Sequence, residues 1–183
     1  CDGCSDDTAI IARQTSQELC CKNLNLEVIE NQYNSGKVAV INSLLPNINE
    51  EIVVMSDVSA LISIDALKQA SFGFTDPNVG LITGHYLLAN PGSIGEARYW
   101  QYQSKLKQAE AQLSSVIGAH GALYFIRRVL LLPLPADTIN DDFNIAMCVV
   151  EQGYRAIHLH NINAIELEQA PMRLDLRRRQ RIA

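Results

Sequence analysis

Strand-like and helix-like patterns alternate along this chain, and that alternation restricts the fold more than any other feature. Residues 24–30 (LNLEVIE) alternate apolar and polar positions with the period of a strand. Residues 51–56 (EIVVMS) form a short apolar run, the pattern of a strand buried on both faces. Residues 78–88, 154–160 and 162–168 are strand-like as well. Between them lie helical patterns. One starts at Asp6-Asp7-Thr8, whose side chains suit a cap, and runs to about Leu19. Others open at Ser35-Gly36 and cover Ile64 to Phe72, Ile94 to Val116 and Asp141 to Gln152. The last carries an apolar stripe at Phe143, Ile145, Ala146, Val149 and Val150 and ends at Gly153. Such alternation predicts an α/β sandwich with a mixed, mostly parallel sheet, in one domain covering residues 1–183. In sheets of that kind ligands bind beyond the carboxyl ends of the strands.

Composition narrows the class. The 183 residues are 48% hydrophobic and 19% charged, close to globular averages and unlike disordered chains. No stretch reaches the roughly 18 consecutive apolar residues of a membrane span. The chain has no initiator Met and no secretory leader, and reads as a piece of a longer protein. Five cysteines at irregular spacing (Cys1, Cys4, Cys20, Cys21, Cys148) argue for free thiols rather than a disulfide framework or a zinc site. The net charge of −5 is uneven: residues 173–183 hold five Arg against one Asp, so residues 1–172 carry −9. An acidic body excludes general nucleic-acid binding. The basic end suits phosphates or anionic lipid.

Four constellations could carry chemistry. Residues 1–8 (CDGCSDDT) combine turn and cap residues, with Asp2 placed to accept a hydrogen bond from a nucleobase edge. Residues 53–59 (VVMSDVS) set Asp57 directly after an apolar strand, where a carboxylate could hold a hard divalent cation. Residues 138–143 (TINDDF) put Asp141 and Asp142 at a predicted helix start, where the macrodipole favours negative charge and one of them could act as a general base. Residues 177–181 (RRRQR) set Arg178 and Arg181 on one helix face, where guanidinium forks match phosphates. Any one of these alone is equally a turn, a helix cap or a solvated face. His120 lies between glycines, either near a ligand or bonded to loop backbone; His85, His158 and His160 read as structural. Trp100 and Tyr102 are packing residues or, less simply, a sugar-stacking surface.

In order and together, these segments resemble the family 2 glycosyltransferases of GT-A fold, especially the processive, membrane-associated branch that includes hyaluronan and cellulose synthases. DGCSDDT resembles the family's nucleotide-binding turn. Residues 34–37 (NSGK), with Asn42 trailing, resemble its Gly-Lys segment. SDVS stands at the place of its metal motif. Residues 117–128 (IGAHGALYFIRR) are similar to its glycine-rich acceptor segment. NDDF, followed by Gly153-Tyr154-Arg155, matches its acidic catalytic motif, and RRRQRI stands at its terminal Arg element.

The resemblance implies a Rossmann-like three-layer sandwich without the family's first strand and without flanking transmembrane helices. It implies transfer of a sugar from a nucleotide-sugar, a UDP-sugar above all, to a glycan or lipid-linked acceptor with inversion, at the cytoplasmic face of a membrane reached through segments outside this chain. Asp2, Lys37, Asp57, Arg178 and Arg181 would hold the nucleotide. Asp57 would meet Mg or Mn. Gly118, His120 and Gly121 would face the acceptor. Asp142 would be the base, with Asp141 at a position where the family often has Glu. Two departures stand out: Ser59 replaces the second acid of the metal motif, and Ile182 replaces the terminal aromatic. They leave open a degenerate module that binds nucleotide-sugar or a partner without turnover. A nucleotidyltransferase would need an N-terminal glycine-rich, Arg/Lys-containing loop that the sequence lacks.

Overall fold

The computed structural model describes residues 1–167. The Arg-rich segment with Arg178 and Arg181 lies outside the described residues. The chain divides into two compact units, Cys1–Asn47 and a second that begins at Ile48.

The first unit holds α1 (Thr8–Cys20) and α2 (Lys37–Leu44), the latter followed by a 3-10 turn over Leu45–Asn47. Asp6, one residue before the N-cap position of α1, accepts the Thr8 N–H on its Oδ1 at 3.1 Å, while Asp7 at the N-cap makes no side-chain cap bond. Residues 24–30, expected as a strand, form no ladder. They lead to a single parallel bridge between Asp2 and Asn31, with Asn31 N–H donating to Cys1 O at 2.9 Å and Gly3 N–H to Asn31 O at 3.0 Å. Alternation alone cannot make a strand when its partner within the unit is a turn three residues long.

The second unit is built on a five-stranded sheet: β1 (Ile52–Ser56), β2 (Ala60–Ile62), β3 (Val79–Leu88), β4 (Leu123–Arg127) and β5 (Arg155–Glu166). Their spatial order is β1-β4-β3-β5-β2. The sheet is mixed, as expected, but not mostly parallel. Only the β3–β5 pair is parallel among the described residues; β1–β4, β3–β4 and β2–β5 are antiparallel. β1, expected as a buried parallel strand, is antiparallel to β4 and only half-buried, with Val54 exposed, because it pairs on one side only and an apolar run carries no direction. The two strand patterns at residues 154–168 are one strand, β5, whose pairing with β3 slips between Gly84/His85 and Leu159/Asn163.

The core forms on β3 and β4, where Leu81, Ile82, Tyr124, Phe125 and Ile126 are buried. Helices α3 (Ala66–Gly73), α4 (Ile94–Leu113) and α5 (Asp141–Glu151) pack against β3 and β5. α4 starts with a reciprocal cap: Ser93 Oγ accepts the Glu96 N–H at 3.1 Å while Glu96 Oε2 accepts the Gly92 N–H at 2.9 Å. Arg127 closes the far end of the sheet, donating to Val79 O and Phe74 O, both at 2.8 Å, and pairing with Glu51 at 3.1 Å.

His158 on β5 is buried, and its Nδ1 has no hydrogen-bond partner among the described residues. Burial, with His85, Lys107 and His160 adding like charge, pushes its pKa down to about 4. The unfolded imidazole takes up a proton near its ordinary pKa of about 6.5, which the folded one resists until about 4. Stability conferred by the neutral form is therefore complete above pH 6.5 and falls as pH drops through that window. The expected loss is on the order of 2 kcal/mol. Thermal melts of the wild type and His158→Gln between pH 7 and 4 check this: the wild-type curve should fall more steeply.

Candidate functional site

In the first unit, the turn at residues 1–3 organises the loop at 31–36. Asp2 Oδ1 accepts from Asn31 Nδ2 at 3.0 Å, and Oδ2 accepts the N–H groups of Ser35 and Gly36 at 2.9 and 2.8 Å. These bonds, the Asn31 side chain first, hold the carboxyl below its usual pKa, so it is ionised at neutral pH. Gly3, at φ 63°, lets the two segments close: a methyl group there would lie 2.3 Å from Asn34 N. Lys37 is the first residue of α2, directly after this loop. Asp2, expected to meet a nucleobase, thus already bonds the Gly-Lys segment, though a carboxylate has lone pairs for more than these three donors.

In the second unit, Asp57 follows β1 and Asp141 and Asp142 begin α5. The loop at 117–122 runs between them. Asp57 N–H donates to Ala122 O at 3.1 Å, and Ser56 Oγ reaches the same carbonyl at 3.3 Å. Ala119 N–H donates to Asp142 O at 3.4 Å. A methyl group at Gly121 would lie 3.0 Å from Asp142 Oδ2 and 3.9 Å from Asp57 Oδ2. Two carboxylates that are 85 residues apart therefore face one point, and only glycine leaves that point open. Gly118, at φ 79°, lies against Phe143.

His120 is held in an aromatic stack. Its ring lies 4.0 Å from that of Tyr86, nearly parallel, and edge-on to Trp100 at 5.2 Å. Its Nδ1 accepts the Ala122 N–H at 3.2 Å, and its own N–H donates to Thr83 Oγ1 at 3.3 Å. Trp100 packs against the core, whereas Tyr102 is exposed. Ser59 Oγ donates to Glu166 Oε1 at 3.4 Å, and Glu166 also accepts from the Tyr86 hydroxyl.

Three residues here escaped the sequence reading. Tyr124 on β4 is fully buried and looked like ordinary core. Burial pushes its phenol pKa up, and the charges of Asp141, Asp142 and Asp57 push it further. Lys107 on α4 donates to Ile117 O and Gly118 O at 3.0 and 2.9 Å. Glu166 lies 107 residues from Ser59, beyond any local pattern. Lys107 did leave a trace, its i,i+3 spacing from Glu110.

Among the described residues no group of three or more His, Cys, Asp or Glu is placed to hold a metal. Asp57, after β1, offers hard carboxylate oxygens but no second acid beside it in its own segment. That fits a divalent cation whose remaining ligands come from substrate phosphates and water, and does not fit an all-protein cage.

Neither a protein-family model nor a curated protein sequence matches the chain. Solved structures do. A mannosyltransferase from Pyrobaculum calidifontis, in complex with GDP-Man and Mn2+, matches with a TM-score of 0.78 and 27% identity over 96% of this chain and 48% of that one. S. aureus TarS 1–349 matches with a TM-score of 0.61 and 19% identity over 91% and 49%. Glucosyl-3-phosphoglycerate synthase from Mycobacterium tuberculosis, in complex with phosphoglyceric acid, gives 0.59 and 17% over 99% and 64%. The chain thus spans about half the length of the first two. Its mixed α/β fold is that of the GT-A glycosyltransferases.

The Tyr124 hydroxyl has no hydrogen-bond partner among the described residues. An unmatched buried hydroxyl costs roughly 1–3 kcal/mol. Tyr124→Phe is therefore expected to raise the unfolding free energy by about 1 kcal/mol, read from denaturant midpoints; a loss of that size would mean the hydroxyl is bonded.

Proposed function

We propose that this chain carries the sugar-transfer chemistry of a nucleotide-sugar-dependent glycosyltransferase. The observation that supports this most is the approach of the Asp57 and Asp142 carboxylates to one point beside Gly121. In the resemblance these two residues belong to the metal motif and the catalytic base. The 27% identity to a mannosyltransferase solved with GDP-Man and Mn2+ agrees with it.

In the proposed reaction Asp142 takes the proton of an acceptor hydroxyl. The acceptor oxygen then attacks the anomeric carbon from the face opposite the diphosphate. The carbon–oxygen bond to the diphosphate breaks, its electron pair leaves with the nucleoside diphosphate, and the anomeric centre inverts. A bound Mg or Mn ion would neutralise charge on that leaving group. Asp57 would hold the ion together with the substrate phosphates, and Arg178 and Arg181 would take the remaining negative charge. Asp2 and Lys37 are assigned to the nucleotide; Gly118, His120 and Gly121 to the acceptor; Asp141 supports Asp142. The motif order favours the processive, membrane-associated branch of family 2, with a UDP-sugar donor, a glycan or lipid-linked acceptor and work at the cytoplasmic face of a membrane. No helix among the described residues is long and apolar enough to cross a membrane; in this reading the membrane is reached through segments outside this chain.

Ser59 favours a second reading, a module that binds nucleotide-sugar without turnover. Its hydroxyl, standing at the place of the second acid, bonds Glu166.

Titration with UDP, GDP and their sugars, with and without Mn, tests the donor site: one of them should raise the melting temperature, and more so with Mn. No stabilisation by any nucleotide would count against both readings. Asp142→Asn separates them. It should lower transfer by roughly 10²–10⁴-fold, the usual worth of a general base, and leave nucleotide affinity within about twofold. Transfer at the wild-type rate would remove Asp142 from its role.

A further inference from the structure

The loop at 117–122 needs something to fix it, since glycine at 118 and 121 gives it freedom and neither neighbouring strand includes residues 117–121. α4 supplies the grip. Lys107 Nζ donates to the carbonyls of Ile117 and Gly118 at 3.0 and 2.9 Å. One turn on, Glu110 Oε2 accepts the Ile117 N–H at 3.0 Å. Residue 117 is thus held at both its donor and its acceptor by two side chains that share a helix face. From the other side, Ala119 bonds the Asp142 carbonyl and Gly118 lies against Phe143. The loop is strung between α4 and the start of α5.

The cationic group itself is informative. Lys107 is half-buried, which disfavours its charge. The two carbonyl bonds take two of its N–H donors. Glu110 and Asp142 act in the opposite sense to burial and favour the charged form. Burial outweighs them and its pKa is lowered, and a lysine placed at that cost, with one of the proposed catalytic acids as its electrostatic neighbour, is a poor choice for packing alone.

We propose that Lys107 is a positioning residue of the transfer site: through Ile117 and Gly118 it holds the glycine loop so that Gly121 stays open against the Asp142 and Asp57 carboxylates. This rests on the glycosyltransferase reading for its consequence, not for its geometry. Glu110 is the second half of the same clamp. Both side chains bond the loop backbone, so both would act through the loop, on how the acceptor is seated rather than on the nucleotide.

The test compares wild type, Lys107→Met, Lys107→Arg and Glu110→Met. Amide hydrogen exchange of a peptide covering 115–122 reads the loop, and steady-state transfer with an accepted donor and acceptor reads the site. Lys107→Met should speed exchange of the Ile117 and Ala119 amides roughly tenfold. It should raise acceptor KM or lower kcat by roughly tenfold, with nucleotide affinity within about twofold of wild type. Lys107→Arg, which keeps a charged donor, should recover most of both. Should Lys107→Met fail to fold, Glu110→Met is expected to loosen the loop and shift acceptor kinetics in the same direction. A lower melting temperature with unchanged acceptor KM and kcat overturns the proposal, as does unchanged exchange. A wild type that binds no nucleotide and transfers nothing sinks the glycosyltransferase reading, while exchange alone then decides whether Lys107 holds the loop.

Discussion

The second unit depends on where β4 sits. Inserted antiparallel between β1 and β3, it brings Leu123 opposite Ser56 and Tyr124 opposite Thr83. The residues just before β4 must then arrive beside the end of β1. That is why Ala122 O takes a hydrogen bond from Asp57 N–H, and why Gly121 lies next to the Asp57 carboxylate. Had β4 run parallel to β1, the glycine loop would have been at the other end of the sheet. Leu123, Tyr124 and Phe125 point to alternate faces and are all buried, so the sheet is covered on both sides at β4.

Much of this was legible in the sequence, and the reason is local. Helix starts announce themselves with nearby residues: Asp6 before α1, Ser93 with Glu96 before α4, Asp141 and Asp142 at the start of α5. Strands β1 and β3 announce themselves through apolar runs bounded by polar residues. Strand direction does not, since it depends on partners far away in the chain, and three antiparallel pairings went unforeseen for that reason. Residues 24–30 had the right alternation but no ladder to join among the residues of their own unit. The acidic positions of the site were readable because carboxylates after strands and at helix starts stand out. Tyr124, Lys107 and Glu166 were not, because each gains its meaning from an interaction that the sequence does not display: a phenol in the field of three acids, a lysine on two loop carbonyls, a carboxylate beside Ser59.

Electrostatics ties the first two together. Asp141, Asp142 and Asp57 all raise the energy of an ionised Tyr124. Such a concentration of negative charge, next to buried core, costs free energy unless something offsets it. Two sources lie close by. The start of α5 places Asp141 and Asp142 in the positive field of unsatisfied N–H groups, and Phe143 N–H donates to Asp142 Oδ1 at 2.8 Å. Lys107 adds a full positive charge whose interaction with Asp142 is favourable.

A site balanced in this way has a preference built into it. Lys107, which favours the Asp142 charge, also serves two loop carbonyls. A negatively charged diphosphate would meet unfavourable potential from three carboxylates unless it arrived with a divalent cation or met further guanidinium groups. The one-acid metal motif, with Ser59 turned to Glu166, strengthens this logic: a cation held by few protein oxygens binds weakly alone and well only with the phosphates that complete its shell. On the proposed reading, a diphosphate and a divalent cation would bind as one ligand, each offsetting the charge that the other meets unfavourably.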